Sequence, residues 1–380
     1  MTDKIRVCEA FAGYGSQSIA LRNLGVDYEV VGISEIDPTA LIAYAAIRDM
    51  ELDCDTNATV EEMKLELINR NVGYDFIRDK NSTTRIDEKK LIKLYNAHKL
   101  SKNLGDISKI NVEDIPTHDL FTYSFPCQDI SVIGAGMGIE KGKTRSGLLY
   151  ECEKVIEYHK PKYLLMENVK NLVGRKFKPQ FDEWLSYLEG LGYTNHWEVL
   201  KASDFGIPQS RERVFVISVL GGHEEITFKK TDQIKSITDY LDDDYNDELN
   251  IVGELKERIT KTKFHKDHYK EDTFNLVDGN IEGFRIMDYR YDEGLRIRKN
   301  NLCPTITTKG RGSLSGVSII YNNRQLRYIS EKESFRLMGL SDDDISKIQK
   351  QVISSSKQYK LAGNSIVVPV LEAIFKELFI

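Results

Sequence analysis

Residues 5 to 37 carry the pattern that most narrows the fold. An apolar run, Ile5-Arg6-Val7-Cys8-Glu9-Ala10-Phe11, leads into a glycine turn, Ala12-Gly13-Tyr14-Gly15-Ser16. Ser16 to Leu24 then has apolar residues at helical spacing (Ile19, Ala20, Leu24) and stops at Gly25, a natural helix C-terminal residue. A second apolar run, Tyr28 to Ser34, ends at Glu35, and Asp37-Pro38 supplies an N-cap and a first-turn proline for the next helix. Strand, glycine turn, helix, strand and carboxylate, in that order, make the nucleotide-binding half of a doubly wound α/β sheet.

The turn also says something about the ligand. A dinucleotide fingerprint wants GxGxxG, its third glycine letting helix and sheet approach around a pyrophosphate. Gly13 and Gly15 are present, but position 18 is Ser. That departure weakens an NAD or FAD reading. It suits an adenosyl cofactor without pyrophosphate, with Glu35 accepting hydrogen bonds from ribose hydroxyls; an ordinary α/β turn fits the same residues.

Further along, Asp119 to Tyr123 reads as a short buried strand that exits into Ser124-Phe125-Pro126-Cys127-Gln128-Asp129-Ile130-Ser131 and a glycine-rich loop reaching Gly147. A cysteine at such an exit is placed like a nucleophile, although a free cysteine is as often a small core residue. Leu148 to Tyr158 is an amphipathic helix, and Pro161 to Val169 a buried strand that delivers Glu167 to its C-terminal end. In open α/β sheets ligands bind outside the carboxyl ends of the strands, so Cys127 and Glu167 should share one crevice. Strands are expected at Asn195 to Leu200 and Val214 to Val219. Just before the latter lies Gln209-Ser210-Arg211-Glu212-Arg213, two arginines at a spacing that puts both on one face of an extended segment.

The remainder is less regular. Residues 51 to 103 read as a polar helical insertion, notably Val60 to Arg70 and Asp87 to Leu100, with no function legible in them. Gly105-Asp106-Ile107 is expected at a strand end. Beyond Gly221 the alternation stops, and 222–354 is expected to form a smaller domain and hinge, with 1–221 and 355–380 as the main domain. That region includes a lysine-rich helix near 255 to 270 and a helix from Arg327 to Gly339, with Ser330 and Glu333 as a capping box. A helix from Ile366 to Leu378 closes the chain.

Charge is uneven. The net charge is −6, yet seven acidic and no basic residues lie between Asp239 and Glu254, against nine basic and three acidic between Phe284 and Tyr328. Local sign governs phosphate contacts more than the total does, so nucleic acid remains open as a partner. The five cysteines (Cys8, Cys54, Cys127, Cys152, Cys303) form neither a disulfide framework nor a zinc spacing, so no metal is expected and the compartment should be the reducing cytoplasm. No apolar run approaches the roughly 20 residues of a membrane helix.

Six motifs, in order, resemble the cytosine-5 DNA methyltransferases: Phe11-Ala12-Gly13-Tyr14-Gly15, Ser124-Phe125-Pro126-Cys127-Gln128, Glu167-Asn168-Val169, Gln209-Ser210-Arg211-Glu212-Arg213, the Arg327 to Arg336 segment, and Gly363-Asn364-Ser365. The resemblance implies a Rossmann-like S-adenosylmethionine-dependent methyltransferase domain with a second, smaller target-recognition domain. It implies Cys127 as the nucleophile, Glu167 and Arg213 on the cytosine ring with Arg211 close by, and Asn168 ordering the pocket. Phe11, Gly13, Gly15 and Ser16 would surround the cofactor, Glu35 take its ribose, and Ile36 pack on adenine. Asp106 and Ile107 would meet the adenine edge, with Pro126, Leu148, Asn364 and Ser365 closing the pocket. Gln128, Ser131, Arg145, Thr305, Lys309 and Arg311 would contact double-stranded DNA.

The expected protein is a monomer, with a cognate restriction endonuclease as a candidate partner. The recognition region is not matched closely, so the recognition sequence stays open, CpG included. A tRNA-directed enzyme of the same fold is the alternative. The basic segment argues for duplex DNA, since RNA-directed members have a reduced recognition region. A silent DNA-binding module would not need Cys127, Glu167, Arg211 and Arg213 together, and an NAD-dependent oxidoreductase is disfavoured by Ser18.

Overall fold

The computed structural model describes residues 4–76, 78–126, 130, 145–223, 226–231, 233–253, 284–290, 294–298, 302–313, 315–322, 325–352 and 354–380. The chain divides into two compact units, Met1–Leu200 with Glu212–Lys229 and Leu371–Ile380, and Lys201–Arg211 with Lys230–Val370. This differs from the expected partition at residues 201–211, 222–229 and 355–370, of which 222–229 lie with the first unit. Residues 201–211 belong to the second unit because the Pro208 carbonyl accepts from the Cys303 N–H and the Cys303 carbonyl from the Ser210 N–H, each at 2.8 Å. Residues 355–370 do so too, with Tyr359 donating to the Ile329 carbonyl at 2.6 Å.

The first unit is built on β1 (Ile5–Ala10), β2 (Tyr28–Ser34), β5 (Leu120–Tyr123), β6 (Tyr163–Val169), β7 (Tyr193–Lys201) and β8 (Glu212–Leu220), in the order β2-β1-β5-β6-β8-β7; β3 (Tyr74–Asp75) and β4 (Lys80–Asn81) form a separate hairpin. β2, β1, β5 and β6 run parallel, whereas β8 is antiparallel to β6. All four residues of β5 are buried, as expected of a central strand covered on both faces. The helices are α1 (Ser16–Asn23), α2 (Pro38–Ile47), α3 (Val60–Asn69), α4 (Glu88–Leu100), α5 (Leu149–His159) and α6 (Lys178–Gly190). Asp37 caps α2 by accepting from the Thr39 N–H at 2.8 Å, with Pro38 in the first turn.

This topology brings the C-terminal ends of β1, β2, β5 and β6 to one edge of the sheet, together with the start of β8. The insertion is less solvated than its composition suggests. α3 and α4 bury Met63, Leu67, Leu91, Leu94 and Ala97 against Leu41 and Tyr44 of α2 and Ile33 of β2. Gly105-Asp106-Ile107 is not a strand end: Gly105 takes φ +84°, and Asp106 caps a 3-10 turn over Ile107–Lys109.

In the second unit β9 (Arg285–Arg290), β10 (Gly294–Ile297), β11 (Ser318–Asn322) and β12 (Gln325–Tyr328) form an antiparallel sheet, ordered β10-β9-β11-β12. Its core includes Met287, Tyr289, Ile319, Tyr321 and Tyr328. Three helices follow, α7 (Glu331–Arg336), α8 (Asp342–Gln351) and α9 (Ser355–Asn364), and α10 (Val368–Phe379) carries the chain back into the first unit from Leu371. The expected helix from Arg327 therefore starts later. Arg327 lies in β12, where its guanidinium meets the fully buried Glu333 carboxylate at 2.8 Å on both oxygens, and the Ser330–Glu333 capping box opens α7. The lysine-rich segment near 255 to 270 lies outside the described residues. Among the described residues, no helix is long and apolar enough to cross a membrane.

Candidate active site

The glycine turn is shaped by strain and by Arg48. Phe11 leaves β1 with φ +57°, a left-handed conformation that costs a non-glycine residue on the order of 1 kcal/mol and concentrates at functional sites. Gly15 (φ +81°) must be glycine, because a Cβ there would lie 2.2 Å from Arg48 Nη2 and 2.6 Å from the Tyr44 ring. Arg48 stacks on Tyr44 at 3.4 Å and donates to the carbonyls of Tyr14 (3.3 Å), Gly15 (3.4 Å) and Tyr44 (2.7 Å), and to the Ser18 hydroxyl. Ser18, where a dinucleotide fold has its third glycine, is thus a hydrogen-bonding element of the turn. No sequence reasoning singled out Arg48.

Glu35 sits half-buried beside this turn. Its carboxylate accepts from the N–H groups of Gly13 (2.9 Å), Ile36 (2.8 Å) and Asp37 (2.7 Å). Burial, and then the charge of Asp37, push its pKa up to about 7 against the pull of these donors. A Cβ on Gly13 would point into open space next to that carboxylate, so the turn leaves a cradle at an acceptor. The Glu35 carboxylate in this cradle is an acceptor that fits a ribose diol. Ser16 is buried at the start of α1, and Ile36 is half-buried next to Glu35. The Asp106 carboxylate accepts from Asn71 Nδ2 at 2.7 Å and from the Ser108 N–H and hydroxyl at 3.0 and 2.8 Å, with Ile107 buried beside it.

The exit of β6 carries the second group. Val169 lies opposite Arg213 in the antiparallel ladder, so Glu167, two residues earlier, shares the face of Arg213. Arg213 Nε meets Glu167 Oε1 at 3.1 Å, with side-chain exposures of 19% and 11%. Asn168 points to the other face, where its Nδ2 donates to the Phe125 carbonyl at 3.1 Å and its Oδ1 accepts from the Val169 N–H at 2.8 Å. Asn171 reaches the same loop, donating to the Ile130 carbonyl at 2.5 Å. Residues 125 and 130, before and after Cys127 in the sequence, are therefore held by Asn168 near the end of β6 and by Asn171 in the 3-10 turn that follows it. Pro126 and Leu148 are half-buried.

Cys127, Gln128 and Ser131 lie outside the described residues, as does the side chain of Arg145. Three of the other cysteines, Cys8, Cys152 and Cys303, are poor nucleophiles. Burial pushes the thiols of Cys8 and Cys303 up to about 12 and raises that of Cys152 as well, while Cys54 donates to the Glu51 carbonyl at 3.1 Å.

Arg211 does a different job from Arg213. It is 4% exposed and donates to the carbonyls of Ile306 (3.0 Å), Gly363 (3.1 Å) and Ser365 (2.6 Å), all in its own unit. The fully buried Gln209 accepts from the Ile306 N–H at 3.1 Å and donates to the Leu337 carbonyl at 2.7 Å. The two arginines have separate partners, Arg211 within the second unit and Arg213 on Glu167 in the first, and the strand itself begins at Glu212. Asn364 is exposed at the end of α9, and Ser365 is buried with its hydroxyl on the Leu361 carbonyl at 2.6 Å.

In the loop after Cys303, Thr305 is half-buried and Lys309 exposed, whereas Arg311 is paired with Glu248. Arg296 and Arg298 pair with Asp288, and Arg327 with Glu333, so the basic stretch is partly neutralised within its own unit.

The family model for C-5 cytosine-specific DNA methylase matches residues 82–379. The type II methyltransferase M2.ScrFI of Lactococcus lactis subsp. cremoris is 41% identical over 99% of this chain and 99% of its own. The orphan methyltransferase M.SssI of Spiroplasma monobiae is 33% identical over 99% of this chain and 98% of its own. Among solved structures, the S. pombe Dnmt2 methyltransferase aligns with a TM-score of 0.64 at 20% identity, over 99% of this chain and 98% of that one, a likeness of fold.

Proposed function

Because the chain belongs to the C-5 cytosine-specific DNA methylase family, we propose that Cys127, Glu167 and Arg213 act together on one cytosine lifted out of duplex DNA. The protein is an enzyme of that family, which uses S-adenosylmethionine as methyl donor. The target carbon is out of reach inside a stacked duplex, and extruding the base costs a few kcal/mol. The Cys127 thiolate adds to C6 and makes C5 electron-rich enough to attack an electrophilic methyl, which the cofactor supplies. Glu167 hydrogen-bonds or protonates N3 as charge builds on the ring, and Arg213 holds both the O2 carbonyl and the Glu167 carboxylate. Loss of the C5 proton and elimination of the thiolate free the product. Asn168 fixes the carbonyl two residues before the nucleophile.

Glu35 takes the ribose, Ile36 packs on adenine, and Asp106 with Ile107 meets the adenine edge. Phe11, Gly13, Gly15 and Ser16 line the turn, with Pro126 and Leu148 beside it. Arg211 touches neither substrate nor cofactor in this reading; it holds Ile306 and Ser365 in place. Thr305 and Lys309 of that loop contact DNA phosphates, and the second unit reads the target sequence as a monomer. Relatives named as type II and as orphan enzymes leave room for a cognate endonuclease or none.

The observation that carries the proposal is the Glu167–Arg213 pair at 3.1 Å on the strand edge where Asn168 grips the segment leading to Cys127. Labelled methyl should pass from S-adenosylmethionine to duplex DNA, and Cys127→Ala should abolish it. Transfer to tRNA but not to duplex DNA, or a fully active Cys127→Ala enzyme, would overturn the reading. Bisulfite sequencing of DNA from expressing cells would then give the sequence that is read.

A further inference from the structure

We propose that the helical insertion belongs to the cofactor site without touching the cofactor: Asn71, and Asn103 with His98 behind it, are positioning residues that hold Asp106 and Glu35 in adenosine-binding geometry. The inference rests on the reading above, in which these two carboxylates face the adenine and the ribose.

Asn103 is 6% exposed and staples two loops together. Its Oδ1 accepts from the N–H groups of Glu35 (3.0 Å) and Gly105 (3.1 Å), and its Nδ2 donates to the Glu35 carbonyl (3.0 Å). Two backbone donors on one side fix the orientation of the amide, so Nδ2 also faces His98 Nδ1 as a donor, at 3.2 Å. Nδ1 must then be the acceptor, and the ring proton sits on Nε2, which faces Glu66 Oε1 at 3.4 Å. His98 is 3% exposed, and burial lowers its pKa to about 4, so a ring with one donor and one acceptor persists at neutral pH. Glu66 is held in turn by Lys99 Nζ and the Tyr95 hydroxyl, each at 3.1 Å. A continuous polar relay thus runs from α3 and α4 to the backbone of the ribose carboxylate.

The second arm is shorter. Asn71, at φ +56° just after α3, donates to Asp106 Oδ2 at 2.7 Å and accepts from Lys109 Nζ at 2.9 Å. The Asp106 N–H donates to the Arg70 carbonyl at 2.9 Å, and a Cβ on Gly105 would lie 2.4 Å from that oxygen. Two separate contacts from the insertion therefore set the two carboxylates, which a freely solvated helical excursion would not do.

The test compares Asn71→Ala and His98→Phe, which keeps the ring volume, with wild-type full-length enzyme and with Glu35→Ala. The expected result for both positioning variants is a Kd and KM for S-adenosylmethionine about tenfold higher, with kcat at saturating cofactor and duplex-DNA affinity within about twofold of wild type. Cofactor affinity unchanged in both, or cofactor and DNA affinity lost together, overturns the inference. If Glu35→Ala weakens cofactor binding and these variants do not, only the inference falls; if Glu35→Ala changes nothing, the ribose reading falls and the inference with it. Hydrogen exchange on the wild-type protein needs no variant to fold. S-adenosylmethionine should slow exchange at Arg70–Gly73 and His98–Asn103 as well as at Glu35, and unchanged exchange at both insertion segments overturns the proposal.

Discussion

Arg211 and Arg213 look interchangeable in the sequence, and replacing Arg211 should show that they are not. The perturbation is Arg211→Met, which keeps reach and apolar bulk but removes three hydrogen bonds to buried carbonyls, at 3.0, 3.1 and 2.6 Å. Hydrogen bonds from a charged donor contribute about 1.5–3 kcal/mol each, so the gross loss is roughly 5–9 kcal/mol. No longer burying a guanidinium offsets several kcal/mol of that, which leaves a net cost of about 3 kcal/mol. For a unit of this size each kcal/mol moves the midpoint by about 2–4 °C, so thermal unfolding should begin on the order of 10 °C lower. Arg211→Lys, which retains the charge but not the fork, should recover only part of this. The assay is scanning calorimetry paired with methyl transfer well below the new midpoint. A midpoint within about 1 °C of wild type, together with lost transfer, would refute the structural role and return Arg211 to the substrate.

Three further outcomes are expected. If ribose hydroxyls donate to ionised Glu35, as proposed, then because its pKa is raised to about 7 cofactor affinity should be full near pH 8 and about tenfold weaker at pH 6. Calorimetry on Glu35→Gln should give a flat profile, and a flat profile in wild type would contradict the assignment. Glu167→Gln should lower kcat by about 100-fold or more if the carboxyl moves a proton at N3, whereas a loss under about threefold would limit it to hydrogen bonding. Asn168→Ala releases the Phe125 carbonyl, and kcat should fall about tenfold with DNA affinity nearly unchanged; an equal loss of DNA affinity would show that the asparagine supports more than the nucleophile's loop.

Where a residue's place follows from its own strand, the sequence is readable. Glu35 and Glu167 both close apolar runs, and a parallel sheet sends every such end to one edge, so their shared placement needed only the pattern. Residues whose partners are distant in the chain were not readable. Arg211 differs from Arg213 because it meets carbonyls 95, 152 and 154 positions away. Ser330 and Glu333 signal a helix and draw Arg327 into it, yet Glu333 also pairs with Arg327 from the neighbouring strand. Asn71, His98 and Asn103 are single polar residues in a polar stretch, and only the fold shows that they are buried. Arg48 is illegible for a simpler reason: an arginine one turn after Tyr44 on a helix is ordinary until the ring and the glycine turn beneath it are seen.

The reversed direction of β8 makes the polarity of the edge that carries Glu167 a matter of parity. Residues 212 and 213 alternate acid and base along one strand, and Arg213 stands opposite Val169. Sliding β8 by one position would put either Glu212 or Val214 there, so an acid or an alkyl group would neighbour Glu167. On the other face, the Lys170–Glu212 contact at 3.1 Å opposes the same slip. Insertions or deletions between Lys201 and Arg211 are therefore tolerable only if they are fully absorbed before Glu212. A single uncompensated residue would leave Glu167 and Arg213 in the sequence yet replace the cation beside Glu167 by an acid or an alkyl group.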